Sequence, residues 1–263
     1  MSIKKVFRII LLLLLSYILV TGIAYLFQKN FIYQTDTLEE DYPFHFENNF
    51  KEVNIPSAEG ETLNGLIFEP DSGTSKGLIL YFHGNADNMQ RWGNYSVDFT
   101  RLGYTVLMID YSGYGKSTGS PSEKILYQNA EDTWLWAQEN LPSEKNIIYG
   151  RSLGAAVSSN LATKHTADLL ILETPFYRML QDHLKIFFPL GLRCEFPNYA
   201  NIPQINYPII ILQGTNDWVV SYNSAEKLAT LLKPTDRFEV IEGGDHKNLR
   251  EFDKYHLILE EIL

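Results

Sequence analysis

Ile147-Ile148-Tyr149-Gly150-Arg151-Ser152-Leu153-Gly154-Ala155-Ala156 decides the fold of this chain. An apolar run breaks at a glycine, presents one serine, and passes a second glycine into small residues that open a helix. Gly-x-Ser-x-Gly between a strand and a helix is the arrangement of a nucleophile elbow. Space explains the glycines, because a serine held in so sharp a turn needs neighbours without a Cβ. The pentapeptide by itself is weak, since Gly and Ser are common in loops; its place between two elements gives it weight.

Working outward from the elbow, continuous apolar runs at 78–82, 104–109, 145–149, 169–172, 208–212 and 237–241 read as buried parallel strands. Helical patterns at 89–102, 122–140, 153–164, 223–232 and 249–263 alternate with them, with Ser122 as a cap and Pro142 as a stop. Two earlier strands, 51–56 and 62–70, form a hairpin around Gly60. The pattern predicts an α/β fold: a mostly parallel central sheet with an N-terminal antiparallel hairpin and helices on both faces. One crossover is too long. Residues 175–206 carry Phe176, Tyr177, Phe187, Phe188, Phe196 and Tyr199 between prolines, and read as a small lid over the strand ends. The plainer alternative is a helix and a loop that pack their own aromatics.

A serine is a poor nucleophile unless a base takes its proton, so the elbow calls for a histidine and an acid. Functional groups of open α/β sheets sit beyond the carboxyl ends of the strands. Asp217 follows the strand at 208–212, and His246 follows the last strand, in Glu242-Gly243-Gly244-Asp245-His246. The order Ser, Asp, His is the one this topology requires. Asp245 adjoins His246 too closely to turn to the same point, and Glu173, ending the preceding strand, is the better alternative acid. A developing oxyanion also needs preorganised N–H donors. The backbone amide of Leu153, after the serine, is one candidate. The loop His83-Gly84-Asn85-Ala86-Asp87 offers the other at Asn85, with His83 orienting the loop.

His83-Gly84-Asn85, Asp110-Tyr111-Ser112-Gly113-Tyr114-Gly115-Lys116-Ser117 and Gly150-Arg151-Ser152-Leu153-Gly154 together resemble the α/β-hydrolase superfamily. Within it the chain looks like the Bem46-like membrane-anchored serine hydrolases, near the branches of α/β-hydrolase domain-containing proteins 13 and 17. The likeness covers nearly the whole chain. It implies Ser152, Asp217 and His246 as a catalytic triad and the amides of Asn85 and Leu153 as oxyanion donors. Three departures stand out: Gln213 where relatives have His, Val220-Ser221 in place of Val-Pro, and Asp245 in place of Gly before His246.

The chain has 263 residues, a net charge of −10 and 45% hydrophobic residues, an ordinary globular composition. The acidic balance argues against a nucleic-acid partner. Cys194 is the only cysteine, so no intrachain disulfide forms. Lys4, Lys5 and Arg8 precede an uncharged run at 9–28 that is long enough to cross a bilayer. The basic flank puts the N-terminus in the cytoplasm and the rest of the chain on the far side: periplasm, exterior or lumen. The alternative is a signal peptide cleaved near Gly22 and Ala24, releasing a secreted protein.

The expected organisation is therefore a transmembrane signal-anchor at 1–28 and one hydrolase domain at 29–263, with its lid at about 175–206. The expected activity is cleavage of acyl esters or thioesters through an acyl-enzyme, on lipid-like or acylated substrates at a membrane. Phe176, Tyr177, Phe187 and Phe188 of the lid are the candidate substrate-binding residues. No metal or organic cofactor is implied. Two alternatives stay open: an amidase or peptidase on the same triad, and an inactive hydrolase fold that serves as an interaction protein.

Overall fold

The computed structural model describes residues 2–57, 60–70, 73–179 and 194–263, with backbone alone at 24, 25 and 27–31. Eight strands form the central sheet: β1 (Phe50–Pro56), β2 (Thr62–Phe68), β3 (Leu78–Phe82), β4 (Thr105–Ile109), β5 (Asn146–Arg151), β6 (Leu169–Glu173), β7 (Ile209–Gly214) and β8 (Arg237–Ile241). Their order across the sheet is β8-β7-β6-β5-β3-β4-β2-β1. The β1–β2 hairpin joins antiparallel through β2 to β4, and every other pairing is parallel. This is the predicted architecture. The parallel strands are apolar on both faces because helices cover both. Every residue of β3, β6 and β7 is buried. Two apolar clusters result, one on each side of the sheet. A fully buried Leu or Ile in them contributes roughly 1.5–3 kcal/mol.

The longer helices are α1 (Ile3–Ile32), α2 (Glu123–Asn140), α3 (Leu153–Ala162), α4 (Tyr222–Ala229) and α5 (Asp253–Ile262). Ser122 caps α2 by accepting from the Ile125 amide at 3.2 Å. The expected helix at 89–102 is broken: Met89–Trp92 and Val97–Thr100 are separated by a 3₁₀ turn, Gly93–Tyr95. Gly93 faces the Phe46 ring, so a side chain there would collide with it.

α1 runs past the expected boundary at 28 to Ile32, and residues Ile3–Ile23 are apolar and long enough to span a bilayer. Leu11 to Leu15 point outward with no cover among the described residues, as an anchor in lipid requires. The stretch after α1 packs into the domain. Tyr33 is buried in one cluster and Phe44 in the other, because an aromatic ring gains more from apolar packing than from water.

Strand register brings the site together. Phe82 pairs with Gly150, Arg151 with Glu173, Glu173 with Leu212, and Gly214 with Ile241. The carboxyl ends of β3, β5, β6, β7 and β8 are therefore nearly level, and the loops after them share one edge of the sheet. Between β3 and β5 the chain reverses its direction of winding, which opens a crevice at that edge.

Candidate active site

Ser152 sits on the turn from β5 to α3 with φ 54° and ψ −111°, a left-handed backbone that costs a non-glycine residue about 1–3 kcal/mol. Its surroundings hold it there. The Ser152 amide donates to the Glu173 carbonyl at 2.9 Å, and its own carbonyl accepts from Ala155 at 3.0 Å. The two flanking glycines are required by contact, as expected. A Cβ on Gly150 would overlap the Gly154 carbonyl and the Ser158 hydroxyl, and one on Gly154 would overlap the Phe82 carbonyl.

From this turn a chain of hydrogen bonds runs across the strand ends. Ser152 Oγ lies 3.0 Å from His246 Nε2, and His246 Nδ1 lies 2.8 Å from Asp217 Oδ2. A carboxylate only accepts, so Nδ1 carries the hydrogen and Nε2 presents its lone pair to the serine hydroxyl. Asp217 is buried and held from all sides. Its Oδ1 accepts the amides of Val219 at 2.9 Å and Val220 at 2.7 Å, while Oδ2 also accepts Gln213 Nε2 at 3.1 Å. Gln213, one of the departures from the family pattern, is thus a donor to the acid. It is the penultimate residue of β7, and sequence reasoning gave it no role because its closeness to Asp217 exists only once the loop folds back.

Glu173, the alternative acid, goes elsewhere. Its carboxylate faces Arg151 Nε at 3.3 Å and accepts the Tyr149 hydroxyl at 2.6 Å, all inside the protein. The reason is register: Glu173 pairs beside Arg151, two strands away from β8, which leads into the histidine loop. Burial alone would lower the pKa of the Arg151 guanidinium, but the Glu173 carboxylate, together with Tyr81 and Tyr95, outweighs this, so it is raised. Arg151 Nη2 in turn donates to the His246 carbonyl at 2.7 Å, tying the elbow to the histidine loop. Asp245 is also occupied locally, its Oδ1 accepting the amides of Lys247 and Asn248 at 2.7 and 3.0 Å.

A cleft of about 470 Å³ opens over the serine, within the range of small-molecule sites. Ser152, His246, Asn85 and Leu153 line it, and neither the Asn85 nor the Leu153 backbone N–H makes a hydrogen bond among the described residues. His83 is buried behind the loop, with Nε2 3.4 Å from Asp110. Burial pushes the Asp110 carboxyl above the usual range, against the lowering effect of His83 and the Met89 amide.

Of the four expected substrate-binding residues, Phe176 lines the cleft. Tyr177 does not: its ring stacks on Tyr199 at 4.9 Å, which turns it away into the core. Phe187 and Phe188 lie outside the described residues, as does the middle of the expected lid, 180–193. Met179, Trp218 and Val219 complete the apolar wall, and Trp218 is 78% exposed at its rim. Nothing in a single sequence marked these, since an exposed Trp beside the acid looks like any loop residue.

The family described as serine aminopeptidase, S33, matches residues 73–194. A Mycobacterium tuberculosis protein called uncharacterized is 29% identical over 204 residues, 75% of this chain and 73% of that one. Human alpha/beta hydrolase domain-containing protein 17B is 29% identical over 196 residues, 72% of this chain and 67% of its own length. Among solved structures, an esterase from Pyrococcus furiosus superposes with a TM-score of 0.68 at 18% identity, over 87% of this chain and 97% of that one. At that identity the likeness shows the fold alone. With the strand order, the serine on its strained turn and these relatives in view, the chain has the α/β-hydrolase fold and is similar in sequence to the alpha/beta hydrolase domain-containing protein 17 group.

Proposed function

We propose that this protein is a serine hydrolase that cleaves acyl esters or thioesters through an acyl-enzyme. The observation that carries this reading is the unbroken chain from Ser152 Oγ through His246 to Asp217, with links of 3.0 and 2.8 Å. Ser152 Oγ attacks the acyl carbonyl as His246 Nε2 takes its proton, and Asp217 stabilises the imidazolium on its Nδ1 side. The amides of Asn85 and Leu153 receive the oxyanion. His246 then protonates the leaving oxygen or sulfur, and the acyl-Ser152 ester forms. Water attacks that ester with His246 as base, which releases the acid and restores the serine.

The apolar wall of Phe176, Met179 and Trp218 supports an apolar acyl group. The exposed apolar face of α1 supports a transmembrane anchor at the N-terminus, ahead of one hydrolase domain that carries a lid. Lys4, Lys5 and Arg8 support an N-terminus in the cytoplasm with the domain on the far side. The substrate we infer is a lipid-like or acylated molecule that reaches the cleft at the membrane.

A fluorophosphonate probe tests the chemistry: it is expected to label the full chain at Ser152, and labelling that survives Ser152→Ala sinks the assignment. The match to a family described as serine aminopeptidase favours a second reading, amide cleavage on the same residues. Matched p-nitrophenyl esters and anilides separate the two, since an amidase turns over the anilide at a comparable rate.

A further inference from the structure

The segment that leaves α1 is threaded through the active-site scaffold. Asn85 is the hub. Its Oδ1 accepts the Tyr114 hydroxyl at 2.9 Å and the Gln34 amide at 3.4 Å, and its Nδ2 donates to the Ile32 carbonyl at 2.5 Å. Ile32 is the last residue of α1. Gln34 and Thr35 then pair in parallel with Ala86 and Asp87, and Asp36 accepts from Asn88 Nδ2 at 2.8 Å. One step further, the Gly115 amide donates to the Asp36 carbonyl and the Leu38 amide to the Gly115 carbonyl, both at 2.8 Å. Residues 32–38 therefore form a strap between the loop at 83–87 and the turn at 110–117.

That turn is the Asp-Tyr-x-Gly-Tyr-Gly-x-Ser segment, to which the chemistry of the triad assigns nothing. Its two tyrosines have matching tasks. Tyr111 donates its hydroxyl to the His83 carbonyl at 2.9 Å, and Tyr114 donates to Asn85. Gly115 is needed there, since it has φ +50° and a Cβ would overlap the Asp110 carboxylate. The loop that carries the Asn85 amide is thus held on one side by tyrosine hydroxyls and on the other by the end of the anchor helix.

We propose that Ile32, Gln34 and Tyr114 are positioning residues for the oxyanion site: they fix the Asn85 side chain so that its amide keeps its place beside Ser152. The membrane anchor is then continuous with the catalytic scaffold, not a tether joined to it by slack chain. This inference rests on the reading of the Asn85 amide as an oxyanion donor. A displaced donor weakens stabilisation of the tetrahedral state but leaves ground-state binding alone, so the loss belongs in kcat.

The test uses the full chain in detergent or vesicles, a p-nitrophenyl acyl ester, and an alkylboronic acid as a tetrahedral mimic. Tyr114→Phe removes one hydroxyl and keeps the ring; Gln34→Pro removes the strap's donor; Asn85→Ala removes all three bonds. Tyr114→Phe and Gln34→Pro are each expected to lower kcat about 10-fold, and Asn85→Ala about 10²-fold, with KM little changed. Boronate affinity is expected to fall by the same factors while affinity for the product acid holds. If Asn85→Ala and Tyr114→Phe lower only the melting temperature and keep kcat, with Ser152→Ala inactive, the positioning role is overturned and the hydrolase reading stands. If Gln34→Pro alone keeps kcat, the anchor's share is overturned. Hydrolysis that persists in Ser152→Ala overturns the hydrolase reading and this inference with it.

Discussion

Gln213 Nε2 donates to Asp217 Oδ2 at 3.1 Å, sharing that oxygen with His246 Nδ1. The family resemblance leads one to expect a histidine at this point; here an amide supplies the donor beside the acid. A hydrogen bond to a charged group is worth about 1.5–3 kcal/mol, and losing it in the transition state lowers kcat roughly 10-fold or more. Gln213→Ala is expected to show this at unchanged KM. Gln213→Glu, close in shape, sets a second carboxylate against Asp217 and is expected to cost more. Steady-state kinetics on a p-nitrophenyl ester decide it, and a wild-type kcat in Gln213→Ala removes the amide from the account.

Arg151 and Glu173 are paired with both side chains 2% exposed. Deleting one member of such a pair leaves a buried charge uncompensated, at about 3–5 kcal/mol. Arg151→Met is therefore expected to destabilise by that order in urea unfolding. Glu173→Gln is expected to cost less, because it still offers an acceptor to the Tyr149 hydroxyl. Equal stability of Arg151→Met and the parent chain contradicts this.

Glu131 supplies a pH-dependent contribution. Burial alone would raise its pKa, but His165 at 2.5 Å and Lys164 at 3.2 Å outweigh that and hold it below the usual range. With the folded value below the unfolded one, the contribution is present at neutral pH and is lost as pH falls through the folded-state pKa. The groups are partly exposed, so it amounts to no more than about 1 kcal/mol. Glu131→Gln is expected to be slightly less stable than the parent at pH 7, with the gap closing in acid; a gap that widens in acid refutes the pairing.

Ser221, where the family resemblance leads one to expect proline, has φ −56°, and its backbone amide makes no hydrogen bond among the described residues. Proline fits that angle and restricts the unfolded chain. Ser221→Pro is expected to stabilise by about 0.4–1 kcal/mol with activity retained. Thermal unfolding checks the sign.

The amino-acid sequence alone determined the alternation of strands and helices, since buried parallel strands must be continuously apolar and Gly150-Arg151-Ser152-Leu153-Gly154 admits few backbones. It also pointed to Ser152, Asp217 and His246, because strand ends in this topology share one edge. It could not assign Glu173 to Arg151, Gln213 to Asp217, or the strap at 32–38 to Asn85. Those are contacts between side chains and segments far apart in the chain, and they depend on strand register and on which way each loop folds back. Local patterning reports which face of an element is buried. Only the packed tertiary structure decides which partner waits there, because a buried polar group takes whatever donor or acceptor the surrounding elements bring within 3 Å or so.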